Sequence, residues 1–166
     1  MKKKFGLTVA IILLFAVIGL ADACLVVTYP NEYTIIKQFG KIESIREEPG
    51  LSVKLPFIQR AEKIQNEVLL YDLAVSDVMT KDKKSMIADC FVLWRIDDPY
   101  KYTQTLSAQK SNAEFRIDTI VYNSLKNVIS SLSQEEVISG RDGELALAIR
   151  ENIGDTLNQY GIELLA

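Results

Sequence analysis

The sequence predicts an α+β fold, in which an N-terminal transmembrane helix precedes a domain with a strand-rich first half and helices packed on one face of the sheet. Three observations predict it. An uncharged apolar stretch follows a run of lysines, segments rich in β-branched and aromatic residues extend to residue 96, and apolar residues recur at helical spacing from residue 111 onwards. Strands followed by helices are typical of α+β domains, and 166 residues suit one such domain behind a membrane segment.

The N-terminal segment is a candidate membrane helix. Lysines at positions 2–4 precede an uncharged run, residues 5–21, whose 17 residues would span about 26 Å as a helix, against about 30 Å of hydrocarbon core. Apolar residues 23–27 continue the run, so we assign residues 1–27 to the anchor and 28–166 to the domain. Because lysines favour the cytoplasmic side, we expect a single-pass topology with a cytoplasmic N-terminus and an extracytoplasmic domain.

Two alternatives to an uncleaved anchor exist for this segment. The small residues around Asp22 also fit the cleavage site of a signal peptide, and Cys24 fits a lipid attachment point. A lipoprotein site normally has leucine three positions before the cysteine, where this chain has Ala21. We therefore expect the anchor to remain attached, because Asp22 disfavours cleavage, and we interpret Cys24 as an apolar neighbour of the membrane.

The first half of the domain contains four candidate strands, which cover residues 33–39, 51–56, 68–75 and 85–96. Gly40 ends the first, and a Glu-Pro-Gly turn precedes the second. Pro56 lacks a backbone donor, so the second should be an edge strand or a strand end. Residues 80–84 form a charged, hairpin-like connection before the fourth strand.

The strand 85–96 is expected to bury one face, which is made of Met86, Ala88, Cys90, Val92, Trp94 and Ile96. Cys90 is therefore interpreted as a core residue, because the sequence supplies neither a partner base nor an electropositive setting for a reactive thiol. Trp94 is expected to be buried against the helix that carries Ile120, Val121 and Leu125. The pair Asp97 and Asp98 before Pro99 is interpreted as a turn that can cap a helix.

The second half of the domain contains three candidate helices. Capping boxes predict the first two starts, at residues 111–114 and 133–136. The first helix has apolar residues at Ile117, Ile120, Val121, Leu125, Val128, Ile129 and Leu132. The second should end near Ser139, and the third carries Leu145, Ile149, Ile153 and Leu157 before it ends at Gly161. Residues 162–165 resemble the beginning of a strand.

The composition argues against several classes of function. The chain has no histidine, which removes the commonest general base and metal ligand, and its two cysteines cannot form a four-ligand zinc site. Apart from the three N-terminal lysines, the chain carries a formal charge of −6, and no stripe of basic and aromatic residues occurs, which argues against a nucleic-acid partner. We therefore expect no catalytic residues, no cofactor and no metal, and a domain for interaction or scaffolding.

Four stretches, taken in order, resemble the stomatin–prohibitin–flotillin–HflK/C (SPFH, band 7) family, and most of all its HflC branch. They are residues 31–41 (NEYTIIKQFGK), 48–58 (EPGLSVKLPFI), 80–84 (TKDKK) and 90–98 (CFVLWRIDD), and residues 160–163 (YGIE) resemble the family's helix-to-strand junction. The resemblance implies a band 7 domain at the outer face of the cytoplasmic membrane. It also implies assembly with an HflK-like paralogue and modulation of the membrane-bound AAA protease FtsH, by a regulator that is not itself a protease.

A second function class stays open, namely a stomatin-like organiser of membrane domains without a protease partner. Partner identity separates the two classes. Members of the family continue beyond the Gly-Ile-Glu strand into a long charged helix, whereas this sequence ends at Ala166. We therefore expect the chain to lack that helix and to form no closed ring on its own, while weak homo- or hetero-oligomeric clustering remains compatible with membrane confinement.

The candidate site residues are Leu51, Leu55, Phe57 and Ile58. Pro56 prevents full strand pairing, and this segment is more apolar than an exposed loop needs. We predict that these side chains form a membrane-proximal apolar edge that contacts the lipid bilayer. Ordinary core packing is the alternative.

Overall fold

The computed structural model describes residues 22–140 and 143–165, together with Phe15 and Gly19. It divides the chain into two compact units, unit 1 (Met1–Asn66) and unit 2 (Glu67–Ala166), whereas the sequence predicts a single domain from residue 28. The α+β class is confirmed. Apart from Phe15 and Gly19, the predicted membrane segment 5–21 lies outside the described residues, among which no helix has the length and apolar character needed to cross a membrane.

Unit 1 forms two antiparallel sheets in its described part. One pairs β1 (Leu25–Thr28) with β4 (Gly50–Val53), and in the other β2 (Glu32–Gln38) lies between β3 (Lys41–Arg46) and β5 (Gln59–Gln65). The first two predicted strands are confirmed as β2 and β4, and β4 has only one neighbouring strand among the described residues, as Pro56 predicts. Strands β3 and β5 were not predicted, because their many charged residues leave no apolar periodicity in the sequence.

The structure differs from the sequence expectation at residues 25–27, which we assigned to the end of the anchor. Leu25, Val26 and Val27 instead pair with residues 53, 52 and 51 of β4, and Val26 is buried. A short apolar run does not distinguish helix from strand by its periodicity, and here the β-branched residues favour the strand.

Unit 2 combines strands with helices. Its described strands are β6 (Leu69–Asp72), β7 (Ser76–Met79), β8 (Ser85–Ala88), β9 (Phe91–Ile96) and β10 (Ile162–Leu164). Its helices are α1 (Pro99–Leu106), α2 (Lys110–Ser131), α3 (Gln134–Ser139) and α4 (Glu144–Ile153), followed by the 3₁₀ helix Gly154–Tyr160. Strand β9 lies between β6 and β10, and β7 and β8 form the predicted hairpin; all these pairs are antiparallel.

The predicted strand 85–96 is interrupted at Asp89 and Cys90, which separates β8 from β9. The alternation of faces nevertheless continues across the break, since Ile87 and Phe91 are exposed while Trp94 is fully buried, as predicted. Cys90 is half-buried and packs against a core cluster of Val78, Leu125, Ile129 and Val137, which confirms its assignment to the core. Burial also raises the pKa of the Cys90 thiol, which keeps it in its unreactive form.

Of the two predicted capping boxes, one occurs in the structure and one does not. The capping box of α3 is confirmed, because the Glu136 carboxylate accepts from the Ser133 backbone N–H at 2.7 Å while the Ser133 hydroxyl accepts from the Glu136 backbone N–H. The box predicted at residues 111–114 is wrong, since α2 begins earlier, at Lys110, and Gln109 precedes it without a side-chain cap. In its place, Glu114 forms an i,i+4 ion pair with Lys110 at 3.5 Å.

The turn before Pro99 caps helix α1. The Asp98 carboxylate accepts hydrogen bonds from the backbone N–H groups of Tyr100 and Lys101, both at 3.0 Å, as the turn interpretation predicts. Gly161 ends the 3₁₀ helix at φ 70°, and a Cβ at this position would lie 2.2 Å from the Asp98 carbonyl oxygen. Only glycine therefore allows the chain to enter β10 beside the start of α1.

Candidate functional site: an apolar end of unit 1

The β1–β4 sheet exposes aliphatic side chains on one face. The register places Leu25 opposite Val53 and Val27 opposite Leu51, and these four side chains are between 42% and 74% exposed. Because side chains alternate along a strand, the two pairs share one face, while Val26 is buried on the other. We call these four residues the aliphatic face.

One end of this sheet is close in sequence to the predicted anchor. Residues 22–24 are helical, and the Cys24 carbonyl accepts a hydrogen bond from the Lys54 backbone N–H at 2.8 Å. Leu25 follows Ala21 by four residues, and an extended chain spans at most about 3.6 Å per residue. The Leu25 and Val53 end of the sheet is therefore separated from the end of the uncharged run 5–21 by four residues, at most about 14 Å of extended chain.

Two aromatic side chains project from neighbouring turns. Phe39 lies in the two-residue turn between β2 and β3, Phe57 lies between β4 and β5, and the two side chains are 85% and 95% exposed. Their φ angles of 49° and 69° fall in the left-handed region, which is unfavourable for bulky residues. The β2–β5 register ends with Gln38 opposite Gln59, so both turns lie at the same end of the sheet.

A cleft of about 680 Å³ lies between these turns, and its lining includes Phe39, Phe57 and Ile58. We use the term apolar end for this cleft together with the aliphatic face and Leu55. The nearby Lys37 ammonium is already paired with the Glu62 carboxylate. By contrast, Lys54 and Arg60 have no carboxylate within ion-pair distance among the described residues, so their charges remain available to an anionic surface.

On the opposite face of the β2–β5 pair, the charge of Lys63 is neutralised by a carboxylate. The Lys63 ammonium lies 2.5 Å from the Glu32 carboxylate and 4.8 Å from the centre of the Tyr29 ring. This hydrogen bond lowers the pKa of Glu32 below its usual value. Arg60, beside the aromatic turns, is thus one of the unpaired basic residues in the described part of unit 1, and Arg46, which lies opposite Thr34 in the β2–β3 register, is another.

All four sequence-predicted site residues, Leu51, Leu55, Phe57 and Ile58, are exposed. The structure therefore does not place them in a buried core, and their contact with a bilayer stays a prediction. Sequence reasoning missed Leu25 and Val27, which it assigned to the anchor, and also Val53 and Phe39. The Phe-Gly dipeptide between two strands was the available signal for an exposed turn at residue 39.

The TKDKK stretch, residues 80–84, forms hydrogen bonds within unit 2. The Thr80 hydroxyl donates to the Asp82 carboxylate at 2.6 Å, and the same carboxylate accepts from the Gln134 backbone N–H at 3.1 Å. The hydroxyl bond is the main reason that the pKa of Asp82 falls to about 2. This network connects the β7–β8 hairpin to the start of α3. In the described part of the chain, no group of three or more cysteine or acidic side chains is arranged to hold a metal ion.

Comparison with known proteins identifies the family of this chain. Residues 26–166 match the SPFH domain / Band 7 family, so the chain belongs to it. Over 150 residues it is 27% identical to the "Modulator of FtsH protease HflC" of Escherichia coli, which covers 82% of this chain and 45% of that protein. The predicted resemblance to the family and its HflC branch is confirmed.

Other relatives come from both branches considered above. The "Protein HflC" of Haemophilus influenzae is 24% identical, over 92% of this chain and 55% of that protein. A stomatin homologue of Pyrococcus horikoshii is 28% identical, over 95% of this chain and 56% of that protein. The chain thus spans about half the length of the curated relatives that it matches.

Proposed function

We propose that this protein is a membrane-anchored SPFH scaffold of the HflC type, whose apolar end of unit 1 rests on the outer leaflet of the cytoplasmic membrane. In this arrangement the N-terminus is cytoplasmic and residues 28–166 are extracytoplasmic. With an HflK-like partner, the protein modulates an FtsH-type AAA protease. The observation that carries the proposal is the exposed apolar end, which adjoins the predicted anchor.

Physical chemistry supports bilayer contact by this end. Soluble monomers rarely expose large contiguous apolar patches without a partner, and full burial of one phenylalanine contributes about 1.5–3 kcal/mol. Aromatic side chains favour the interface between water and hydrocarbon, and the unpaired charges of Lys54 and Arg60 suit acidic headgroups. The short connection from Ala21 to Leu25 keeps the aliphatic face close to the membrane.

A regulatory and non-enzymatic role is supported by the relatives and by the residues. One HflC relative is named a modulator of a protease, and the present chain has no histidine. Under this proposal the chain positions or restricts a protease and does not cleave peptides. The stomatin homologue supports a second candidate, a membrane-domain organiser without a protease partner, because its identity of 28% is similar to the 27% and 24% of the HflC relatives.

Crosslinking and affinity purification of the tagged full chain from native membranes tests the function. The HflC-type proposal expects an HflK-like protein and an AAA protease among the recovered partners. Enrichment of a lipid fraction without either protein would favour the stomatin-like candidate instead. The variant Phe57→Asp should reduce the amount of these partners that is recovered, whereas Phe115→Asp, which replaces an exposed phenylalanine of α2, should not.

The mass of the mature membrane protein tests the anchor separately. An uncleaved chain retains the lysines at positions 2–4, and we expect this form. A mature protein that begins at Ala23 or Cys24 would contradict the anchor, although it would leave the family assignment intact.

A further inference from the structure

Unit 2 contains an apolar cavity that the proposed function does not use. It has a volume of about 420 Å³ and lies among β9, β10, α2 and α4. Its apolar lining includes Val92, Val121, Leu125, Leu147 and Ile153. Among the described residues that line it, Arg150 alone is charged. The volume falls within the range of about 300–1,000 Å³ that is usual for small-molecule sites.

A polar cleft of about 440 Å³ adjoins this cavity, because Arg150, Ile153 and Leu164 line both. The cleft holds side chains of both charges. Arg95 is neutralised by Glu163, with 2.6 Å between Nε and Oε2. Two further carboxylates line the cleft, and neither has a basic partner within ion-pair distance in the described part of the chain; they belong to Asp97 and Asp155.

Arg150 occupies the border between the two spaces. Its Nη1 donates to the Leu165 carbonyl at 3.0 Å, and no carboxylate of the described residues lies within ion-pair distance of its guanidinium. A guanidinium has five N–H donors in a planar fork, which suits a phosphate. Most of these donors are therefore available at the mouth of the apolar cavity.

Helix α4 is incompletely packed over the cavity. Ile153 is the buried residue of this helix, Ile149 is half-buried and Leu147 is 62% exposed. Apolar side chains that border an open cavity lack contact atoms on one side. An apolar chain in the cavity would supply these contacts.

We propose that the two spaces together bind a single-chain zwitterionic phospholipid of the lysophosphatidylethanolamine class. The acyl chain occupies the apolar cavity, the phosphate binds Arg150, and the ammonium lies near Asp97 and Asp155. The order of the chemical groups along such a lipid, from tail to phosphate to amine, matches the order of cavity, arginine and acidic cleft. The proposal concerns unit 2 alone and does not depend on the proposed protease partner.

Trp94 provides a direct probe of occupancy. It is the chain's only tryptophan, it is fully buried, and it lies opposite Leu164 in the β9–β10 register. Because Leu164 lines both spaces, bromine atoms on a bound acyl chain should quench Trp94 fluorescence at short range. The full chain is reconstituted in vesicles of unlabelled phosphatidylcholine and titrated with lysophosphatidylethanolamine that carries a brominated chain.

We expect saturable quenching of Trp94. Arg150→Gln should weaken the apparent affinity about tenfold, the size expected for loss of a hydrogen bond between charged groups. Leu147→Glu should also weaken binding, since it replaces an apolar residue at the rim of the cavity with a carboxylate one helical turn from Arg150. The matched controls are Lys126→Gln on α2 and Ile138→Glu on α3, which change exposed residues outside both spaces and should bind like the parent chain.

Three results would overturn the proposal. One is the absence of saturable quenching in a folded protein, as judged by circular dichroism. Another is equal affinity in Arg150→Gln and the parent chain. The third is equally tight binding of a brominated fatty acid, which has no ammonium, because the acidic residues would then play no part.

Discussion

The two units use their apolar residues in different ways. In unit 2, helices follow the strands and residues such as Trp94, Ile117 and Leu157 are almost completely buried. In residues 22–66 of unit 1, the only helical residues are 22–24, and aliphatic and aromatic side chains remain on the surface. Apolar side chains thus form a packed core where helices follow the sheet, and several stay exposed where the strands have no such cover.

The two units also differ in which residues have left-handed φ angles. Unit 2 has left-handed φ angles at Lys83, Ser107 and Ala108, which lie in connections beside strands or helices. Unit 1 has them at Phe39 and Phe57, where a bulky aromatic side chain is the less favourable choice. At both positions the backbone strain holds an aromatic side chain in solvent, where it is available for contact.

Trp94→Ala should have the largest effect on stability. Removing a fully buried tryptophan should lower the free energy of unfolding by about 3–5 kcal/mol. Chemical denaturation of the detergent-solubilised chain, followed by circular dichroism, measures this. Phe115→Ala is the control, because this exposed residue of α2 should change the free energy by no more than about 0.5 kcal/mol. A loss below about 1 kcal/mol for Trp94→Ala would contradict a structural role for the residue.

Gly161→Ala should have the next largest effect and can be compared with Gly40→Ala in unit 1. Both glycines have positive φ angles, so both substitutions strain the backbone by about 1 kcal/mol. Only at Gly161 would the new methyl group also collide with backbone, since the Asp98 carbonyl oxygen is 2.2 Å from the Cβ position. We expect a total loss of about 2–4 kcal/mol for Gly161→Ala. Equal losses in thermal denaturation would contradict this close approach.

Asp82→Asn should change the pH dependence of stability. The hydrogen bond from Thr80 lowers the pKa of Asp82 from 3.8 to about 2, so the folded state binds fewer protons than the unfolded state between these values. The contribution of Asp82 is therefore present above about pH 4 and is lost as the pH falls towards 2. The variant should be less stable than the parent near neutral pH, and the two should converge in acid.

Thr80→Val tests the cause of this pH dependence, because it removes the hydroxyl donor while it conserves side-chain shape. It should show part of the same convergence in acid denaturation. Parallel stability curves for the parent and Asp82→Asn from pH 7 to pH 2 would show that the lowered pKa of Asp82 adds nothing to stability.

Phe57→Asp should have the smallest effect on stability. Because the side chain is 95% exposed, the free energy of unfolding in detergent should change by no more than about 0.5 kcal/mol. The effect of residue 57 should appear only with a bilayer. In vesicles that contain brominated phospholipids, the emission that Phe57→Trp adds to that of Trp94 should be quenched, whereas the emission that the matched variant Phe115→Trp adds should not be. Equal emission from the two variants would leave the apolar end without a membrane role.

The sequence predicted best those features that depend on neighbouring residues. The capping box at Ser133, the cap at Asp98, the stop at Gly161 and the hairpin at residues 80–84 all occur where their local patterns predict them. The alternation through Trp94 also identified the buried face of β9. The capping box predicted at Ser111 was wrong, because a serine and a glutamate three residues apart do not mark a helix start when the preceding residue is also helical.

The candidate site was predicted only in part. Leu51, Leu55, Phe57 and Ile58 were recognised because Pro56 interrupts an apolar segment, and all four are exposed. The aliphatic face was not recognised as a unit, because it depends on the pairing of β1 with β4, whose residues are more than twenty positions apart. An apolar run next to a membrane segment has the same composition whether it continues a helix or pairs as a strand.

Sequence patterns alone were therefore enough to predict the family, the α+β class, the ends of several elements and the buried face of β9. Tertiary structure decided which strands pair, where Phe39 and Phe57 project, and how Arg150 comes to lie between an apolar cavity and an acidic cleft. The physical reason is the range of the interactions involved. Caps, turns and side-chain alternation depend on residues a few positions apart, whereas strand register and cavities depend on distant segments, whose contacts leave no periodic signal in the chain.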